Sequence, residues 1–163
     1  MLLQNPADIV DIYMAHEGSD DPALRAEFLR FMEENLNKEV FVSVIRAGDD
    51  AADASVASSE AATLSAADDA PVVSMAMLVH YLYVPNTDCY RQHGNNGIIM
   101  NVHTLPAYRG RGYASQCVEE CVNLARDKGY AYLYCNSVEN VTSLYTKLGF
   151  SEDPKTTFLE KYL

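Results

Sequence analysis

The segment from Ile98 to Lys128 constrains this chain more than any other. Ile98-Ile99-Met100-Asn101-Val102-His103-Thr104 reads as a strand. Beyond Pro106 lies Arg109-Gly110-Arg111-Gly112, and then Ala114, Cys117, Val118, Cys121, Val122 and Ala125 recur at helical spacing until Gly129 stops the run. A strand feeding a helix across such a turn leaves the first helical N–H groups without intrahelical partners. The helix dipole adds partial positive charge at that end, so the junction suits an anion such as a pyrophosphate. Gly110 and Gly112 remove side chains where a phosphate would touch backbone, and Arg109 and Arg111 can add charge-assisted hydrogen bonds. The turn is not a P-loop, because no Gly-Lys-Ser/Thr follows. Nor is it the Gly-x-Gly-x-x-Gly dinucleotide pattern, since Ser115 stands where the third glycine would be. Taken alone, the stretch also fits a solvated loop with surface arginines.

The rest of the chain is ordered around this junction. A short helix is predicted from about Ala7 to Met14. A stronger one follows, with Asp21 as N-cap, Pro22 at the first helical position, and Leu24, Phe28, Phe31, Met32 and Leu36 at helical spacing. Val40 to Ile45 reads as a strand. Residues 47 to 70 are mostly Ala, Ser and Asp, with six acidic residues and no Lys or Arg, and read as a mobile acidic insertion between strands. Val72 to Val84 is a long β run, and a polar loop from about Thr87 to Gly97 leads into the strand at Ile98. Tyr132 to Cys135 is a further strand, and Val138 to Leu148 a helix with Val141, Leu144, Tyr145 and Leu148 on one face. Thr157 to Leu163 is read as a last strand. This order implies one α+β (mixed α/β) domain over residues 1–163, not a doubly wound sheet.

Charge narrows the partners. The formal net charge of -11 opposes nucleic-acid backbones and anionic membrane surfaces, and it favours cationic partners through a weak, salt-screened bias. No stretch is long and apolar enough to span a bilayer, and the first residues lack the pattern of a secretory signal. Cys89, Cys117, Cys121 and Cys135 form no metal-ligand spacing; Cys117 and Cys121 fit a buried helical stripe better than a metal pair. A reducing, cytoplasmic setting and no metal are the expectation.

With these residues in place, Arg109-Gly110-Arg111-Gly112-Tyr113-Ala114 resembles the Gln/Arg-x-x-Gly-x-Gly/Ala motif of the GNAT superfamily of acyl-CoA-dependent N-acyltransferases. Leu144-Tyr145-Thr146-Lys147-Leu148-Gly149-Phe150 is similar to that family's Leu-Tyr-x-x-Leu-Gly-Phe segment, and one helix and one strand separate the two motifs, as in the family. The resemblance is close over about residues 72 to 163 and looser over the first 46. It implies a central, largely antiparallel twisted sheet, splayed at the cofactor strand and flanked by about four helices. It also implies transfer of an acetyl group from acetyl-CoA to a primary amine by direct attack. The pantetheine arm would pair with backbone along Val102, His103 and Thr104. The pyrophosphate would take N–H groups from Arg109, Gly110, Arg111, Gly112, Tyr113 and Ala114, with Ser115 just inside the helix and Asn136 a further contact.

Tyr145 matches the family's general acid, which would protonate the departing thiolate. By spacing alone a core aromatic, its hydroxyl bonded to backbone, is the better fit, and it is the resemblance that favours catalysis. His103, His80 and Asn101 with bound water are the candidates for deprotonating the amine, and His80, Tyr81, Tyr83 and Asn101, with Tyr90 nearby, are candidates for the acceptor site. The amine acceptor is a small molecule or a peptide, and exposed strand edges permit a homodimer. Two departures stand out. The helical pattern starts almost at Met1, leaving no room for a full opening strand, and Val138 stands where some members carry asparagine. The competing readings are a non-catalytic acyl-CoA-binding module on the same scaffold and a nucleic-acid contact at the arginines, which the absence of a wider basic patch opposes.

Overall fold

A computed structural model describes residues 1–48, 70–82, 95–137 and 141–152. The expected insertion, Tyr83, Cys89, Tyr90 and the last predicted strand fall wholly or almost wholly outside those residues. Among the described residues four strands, β1 (Val40–Arg46), β2 (Val72–Leu82), β3 (Asn95–Thr104) and β4 (Tyr132–Cys135), form a sheet in chain order. The β1–β2 and β2–β3 pairs are antiparallel, and β3–β4 is parallel because the long helix crosses between them. Four α-helices pack against this sheet: α1 (Val10–Glu17), α2 (Pro22–Asn35), α3 (Tyr113–Asp127) and α4 (Thr142–Lys147). The mixed α+β architecture read from the sequence is the one observed.

Burial on both faces explains why β1 reads as an unbroken apolar run rather than an alternating one. Val40, Val42 and Val44 meet Met14 of α1 and Met32 of α2 on one face, whereas Phe41 and Ile45 meet Cys117, Val118 and Cys121 of α3 on the other. Asp21 caps α2 as expected, its carboxylate accepting from the Ala23 amide at 2.9 Å, with Pro22 at the first position. In place of a full opening strand, Leu2 forms an antiparallel bridge to Ser43, and the Met1 ammonium reaches Glu120 of α3 at 2.6 Å. The predicted loop up to Gly97 is shorter than expected, because β3 already starts at Asn95. Gly97 belongs in that strand: a Cβ there would lie 2.7 Å from the side chains of both Leu78 and Leu133, so the missing side chain lets β3 pass close to its neighbours. The helix predicted from Val138 is described from Thr142 to Lys147, residues 138–140 lying outside the description. No helix among the described residues is long and apolar enough to cross a membrane.

Candidate active site

The site begins with an irregularity in β3. Met75 of β2 opposes His103 and Met77 opposes Met100, so Ala76 faces the extra residue in Asn101–Val102, a β-bulge. Asn101 takes the left-handed conformation at φ 51°, a position usually given to glycine and tolerated by asparagine. Its Nδ2 is turned to the Met77 sulfur at 3.5 Å.

A bulge increases local twist and bends the strand that carries it. Pairing of β3 with β4 runs from Asn96–Tyr132 to Ile99–Cys135 and stops there, while β3 continues to Thr104. β4 itself ends at Cys135, so β3 runs on to Thr104 past the end of its parallel partner. Val102 and Thr104 look to the α3 side: Val102 packs in that core, and the Thr104 hydroxyl lies 2.8 Å from that of Ser74, which the Cys117 thiol of α3 also meets. His103 looks to the other side, where its ring meets that of His16 in α1, with centroids 5.3 Å apart. The opposition of His103 to Val102 and Thr104 follows the alternation expected from sequence.

Beyond the end of β3, a 3-10 turn at Pro106–Tyr108 leads to Arg109 and the start of α3. Gly110 and Gly112 have φ of 78° and 82°, and a Cβ on either would meet nothing within 4 Å. Gly112 is the N-cap and offers no side-chain cap; the Gln116 amide is the one that bonds back to its carbonyl, at 3.1 Å. The helix thus presents its first-turn amides, at Ala114 and Ser115 among others, beside open space. Tyr113 is buried with its ring in the core, so its contribution to an anion would come from backbone. Arg109 donates from Nε to the Thr104 carbonyl at 3.0 Å, which ties the turn to the strand end, and the Arg111 guanidinium sits 5.5 Å from the centre of the Tyr108 ring. Both arginines remain exposed and can swing toward an anion.

Tyr145 lies in the core on the α3 side, near the end of β4. It is buried on α4, edge-on to Phe150, and close enough to Cys135 to feel its charge. Burial first, and Cys135 second, raise its pKa above 10, which keeps the hydroxyl protonated. Asn136 is exposed just past the end of β4.

The structure does not bring all candidates to this point. His80 pairs with Gly97, at the far end of the β2–β3 ladder from Ser74 and Thr104, and its Nδ1 is held 2.6 Å from Glu39. Tyr81 is exposed on the α1 face, edge-on to Tyr134 and also remote from the turn. Cys117 and Cys121 are buried in the α3–sheet contact, and burial pushes the Cys121 thiol up to about 12. His16 was missed by the sequence reading, because it lies on an exposed turn of α1 with no motif around it.

A mixed α+β sheet in which β3 outruns its parallel partner beside a helix N-terminus without a side-chain cap matches the acyl-CoA N-acyltransferase fold class. The chain belongs to the Acetyltransferase (GNAT) family, whose model matches residues 23–150. A search of curated proteins finds no match. Among solved structures it is similar to a predicted acetyltransferase from Clostridium acetobutylicum solved with acetyl-CoA, at 18% identity, covering 98% of this chain and 96% of that one, with a TM-score of 0.69. It is also similar to glucosamine-6-phosphate N-acetyltransferase from Arabidopsis thaliana, at 15% identity, 99% and 97% coverage and a TM-score of 0.68. A further likeness is to AAC(6')-Iy in complex with the bisubstrate analogue CoA-S-monomethyl-acetylneamine, at 15% identity, 100% and 98% coverage and a TM-score of 0.66. At these identities the likenesses carry the fold.

Proposed function

We propose that this chain transfers the acetyl group of acetyl-CoA to a primary amine by direct attack through a tetrahedral intermediate. The observation that carries the reading is the end of β3–β4 pairing at Ile99 and Cys135, beside an open α3 N-terminus and flanked by Tyr145. An extended pantetheine arm fits the gap as an additional strand along Val102 to Thr104, with its pyrophosphate at the amides from Arg109 to Ser115. The solved structures with acetyl-CoA and with a CoA bisubstrate analogue support a CoA thioester as donor.

The chemistry follows from the arrangement. An amine lone pair attacks the thioester carbonyl carbon, and a backbone N–H near the bulge, at Val102 to Thr104, receives the developing oxyanion. Collapse breaks the C–S bond as Tyr145 gives its proton to the thiolate, which prevents the thiolate from attacking the new amide; the newly bonded nitrogen loses its extra proton to water, and Tyr145 is reprotonated from solvent. The test is a thermal-shift titration with acetyl-CoA, followed by thiol-release assays over a panel of amines. Stabilisation and amine-dependent thiol release, lost in Tyr145→Phe, are expected. Stabilisation without release from any amine would favour a non-catalytic acyl-CoA-binding module. No stabilisation of the folded protein would sink both readings.

A further inference from the structure

Resting on the acetyl-transfer reading, we propose that His103, backed by His16, is the proton acceptor for the incoming amine. An alkylamine is almost wholly protonated at pH 7, since its pKa lies near 10.4, so attack requires a group that removes a proton at the site. Three groups on the sheet have the chemistry for this. His80 stands at the far end of the β2–β3 ladder, bound to Glu39. Asn101 is turned to Met77 and would need an intervening water. His103 stands where β3 runs past the end of β4, between the two residues whose backbone would hold the pantetheine arm.

The face it occupies matters as much as its position. Tyr145 lies in the core on the α3 side, whereas His103 points to the α1 side. A thioester lying beside β3 beyond the end of β4 would have the sulfur's proton donor on one face and the amine's proton acceptor on the other. The amine would approach from the α1 side, where Met100 is exposed on the same strand.

His103 is half-buried and His16 exposed, their rings edge to face at 68° with centroids 5.3 Å apart, so the pair leads from β3 to solvent. The groups acting on the His103 ring are its own burial first, then His16 from α1 and Arg109 from the turn, and all of them lower its pKa below 6.5. The imidazole therefore stays neutral near pH 7, ready to accept. In the step, the ammonium gives a proton to the His103 imidazole, the freed lone pair forms the C–N bond, and the proton passes by His16 to water.

Bromoacetyl-CoA tests this without knowledge of the acceptor. Its CH2Br group occupies the position of the acetyl methyl, and a neutral imidazole beside it forms an N–CH2 bond as bromide leaves and the ring loses a proton to water; the adduct carries CoA through its thioester, and hydrolysis of the thioester leaves a carboxymethyl group. The whole chain and a Cys135→Ala variant, which removes the thiol at the end of β4, are incubated with the reagent and mapped by peptide mass spectrometry. The adduct is expected on His103, its rate falling about tenfold or more in excess acetyl-CoA. The rate should rise with pH through a midpoint below 6.5, and His16→Gln should move that midpoint upward. An adduct confined to other residues in both chains overturns the assignment, as does no adduct when bromoacetyl-CoA stabilises the protein. A midpoint unmoved by His16→Gln removes His16 from the pair. Absence of any stabilisation by acetyl-CoA would instead refute the acetyl-transfer reading.

Discussion

Gly112→Ala separates two reasons for a glycine at the head of α3. In the free protein a Cβ at this position meets nothing within 4 Å, so steric contact contributes no cost. The cost lies in the backbone, where φ is 82°, and an L residue held in the left-handed region loses about 1–2 kcal/mol. For a chain of this length that corresponds to a fall in Tm of about 2–8 °C. Asparagine tolerates the left-handed region better, so Gly112→Asn should lose less. With ligand the balance changes. Acetyl-CoA at 100 times its Kd stabilises the native protein by about 2.7 kcal/mol, a shift of several degrees. A Cβ that is harmless in the free chain stands where the pyrophosphate is proposed to meet the amides, so either substitution should shrink the ligand shift beyond its effect on the free protein. Differential scanning fluorimetry across an acetyl-CoA series reads both quantities. A variant that keeps the full ligand shift would refute placement of the pyrophosphate at this turn. A variant with unchanged Tm in the absence of ligand would refute the strain argument.

Gly97→Ala should behave in the opposite way: its Cβ comes within 2.7 Å of the Leu78 and Leu133 side chains, so a loss of about 1–3 kcal/mol is expected in chemical denaturation, with the acetyl-CoA shift retained. Tyr145→Phe keeps the buried ring and its edge-on contact with Phe150, so it should change the unfolding free energy by about 1 kcal/mol or less, while lowering kcat by about 10²–10⁴ in a thiol-release assay. Because the Tyr145 pKa is raised above 10, this proton donor should impose no alkaline fall in rate below pH 10. Asp8→Ala breaks the 2.6 Å pair with the buried Arg46 and should cost about 2–4 kcal/mol in urea unfolding, somewhat relieved because Asp8 is partly exposed. Iodoacetamide at pH 7.5 should leave Cys121, whose thiol sits at about 12, unlabelled until the protein is unfolded, as followed by mass spectrometry.

The elements that the sequence makes legible are those where one local pattern suffices. Asp21-Pro22 caps α2 because a carboxylate and a fixed φ act within a single turn. The stripe of Ala125, Cys121, Cys117 and their neighbours marks α3 because its buried face repeats at helical period. The glycines of the turn are readable because only their φ requires them. What stayed hidden depends on contacts between distant segments. Gly97 looked like the end of a loop, and its place in β3 is visible only when Leu78 and Leu133 flank it. Leu2 bridges Ser43 with too few residues to show a strand period. His16 has no local signature; it gains a chemical setting only when α1 is laid across β3.

The bulge shows how a single hidden residue organises the site. Without the additional residue opposite Ala76, strict alternation from Ile99 would put Thr104 on the α1 face and His103 on the α3 face. The inserted residue reverses that order for everything after Asn101, while Ile99 before it stays in the α3 core. It sends Val102 and Thr104 to the face shared with Tyr145 and His103 to the face shared with His16. β3 continues beyond Ile99 to Thr104, past the end of β4 at Cys135. The separation of His103 from Tyr145 thus has its structural origin in the bulge. Asn101, at φ 51°, is a residue that can occupy it without the full strain a β-branched side chain would bring.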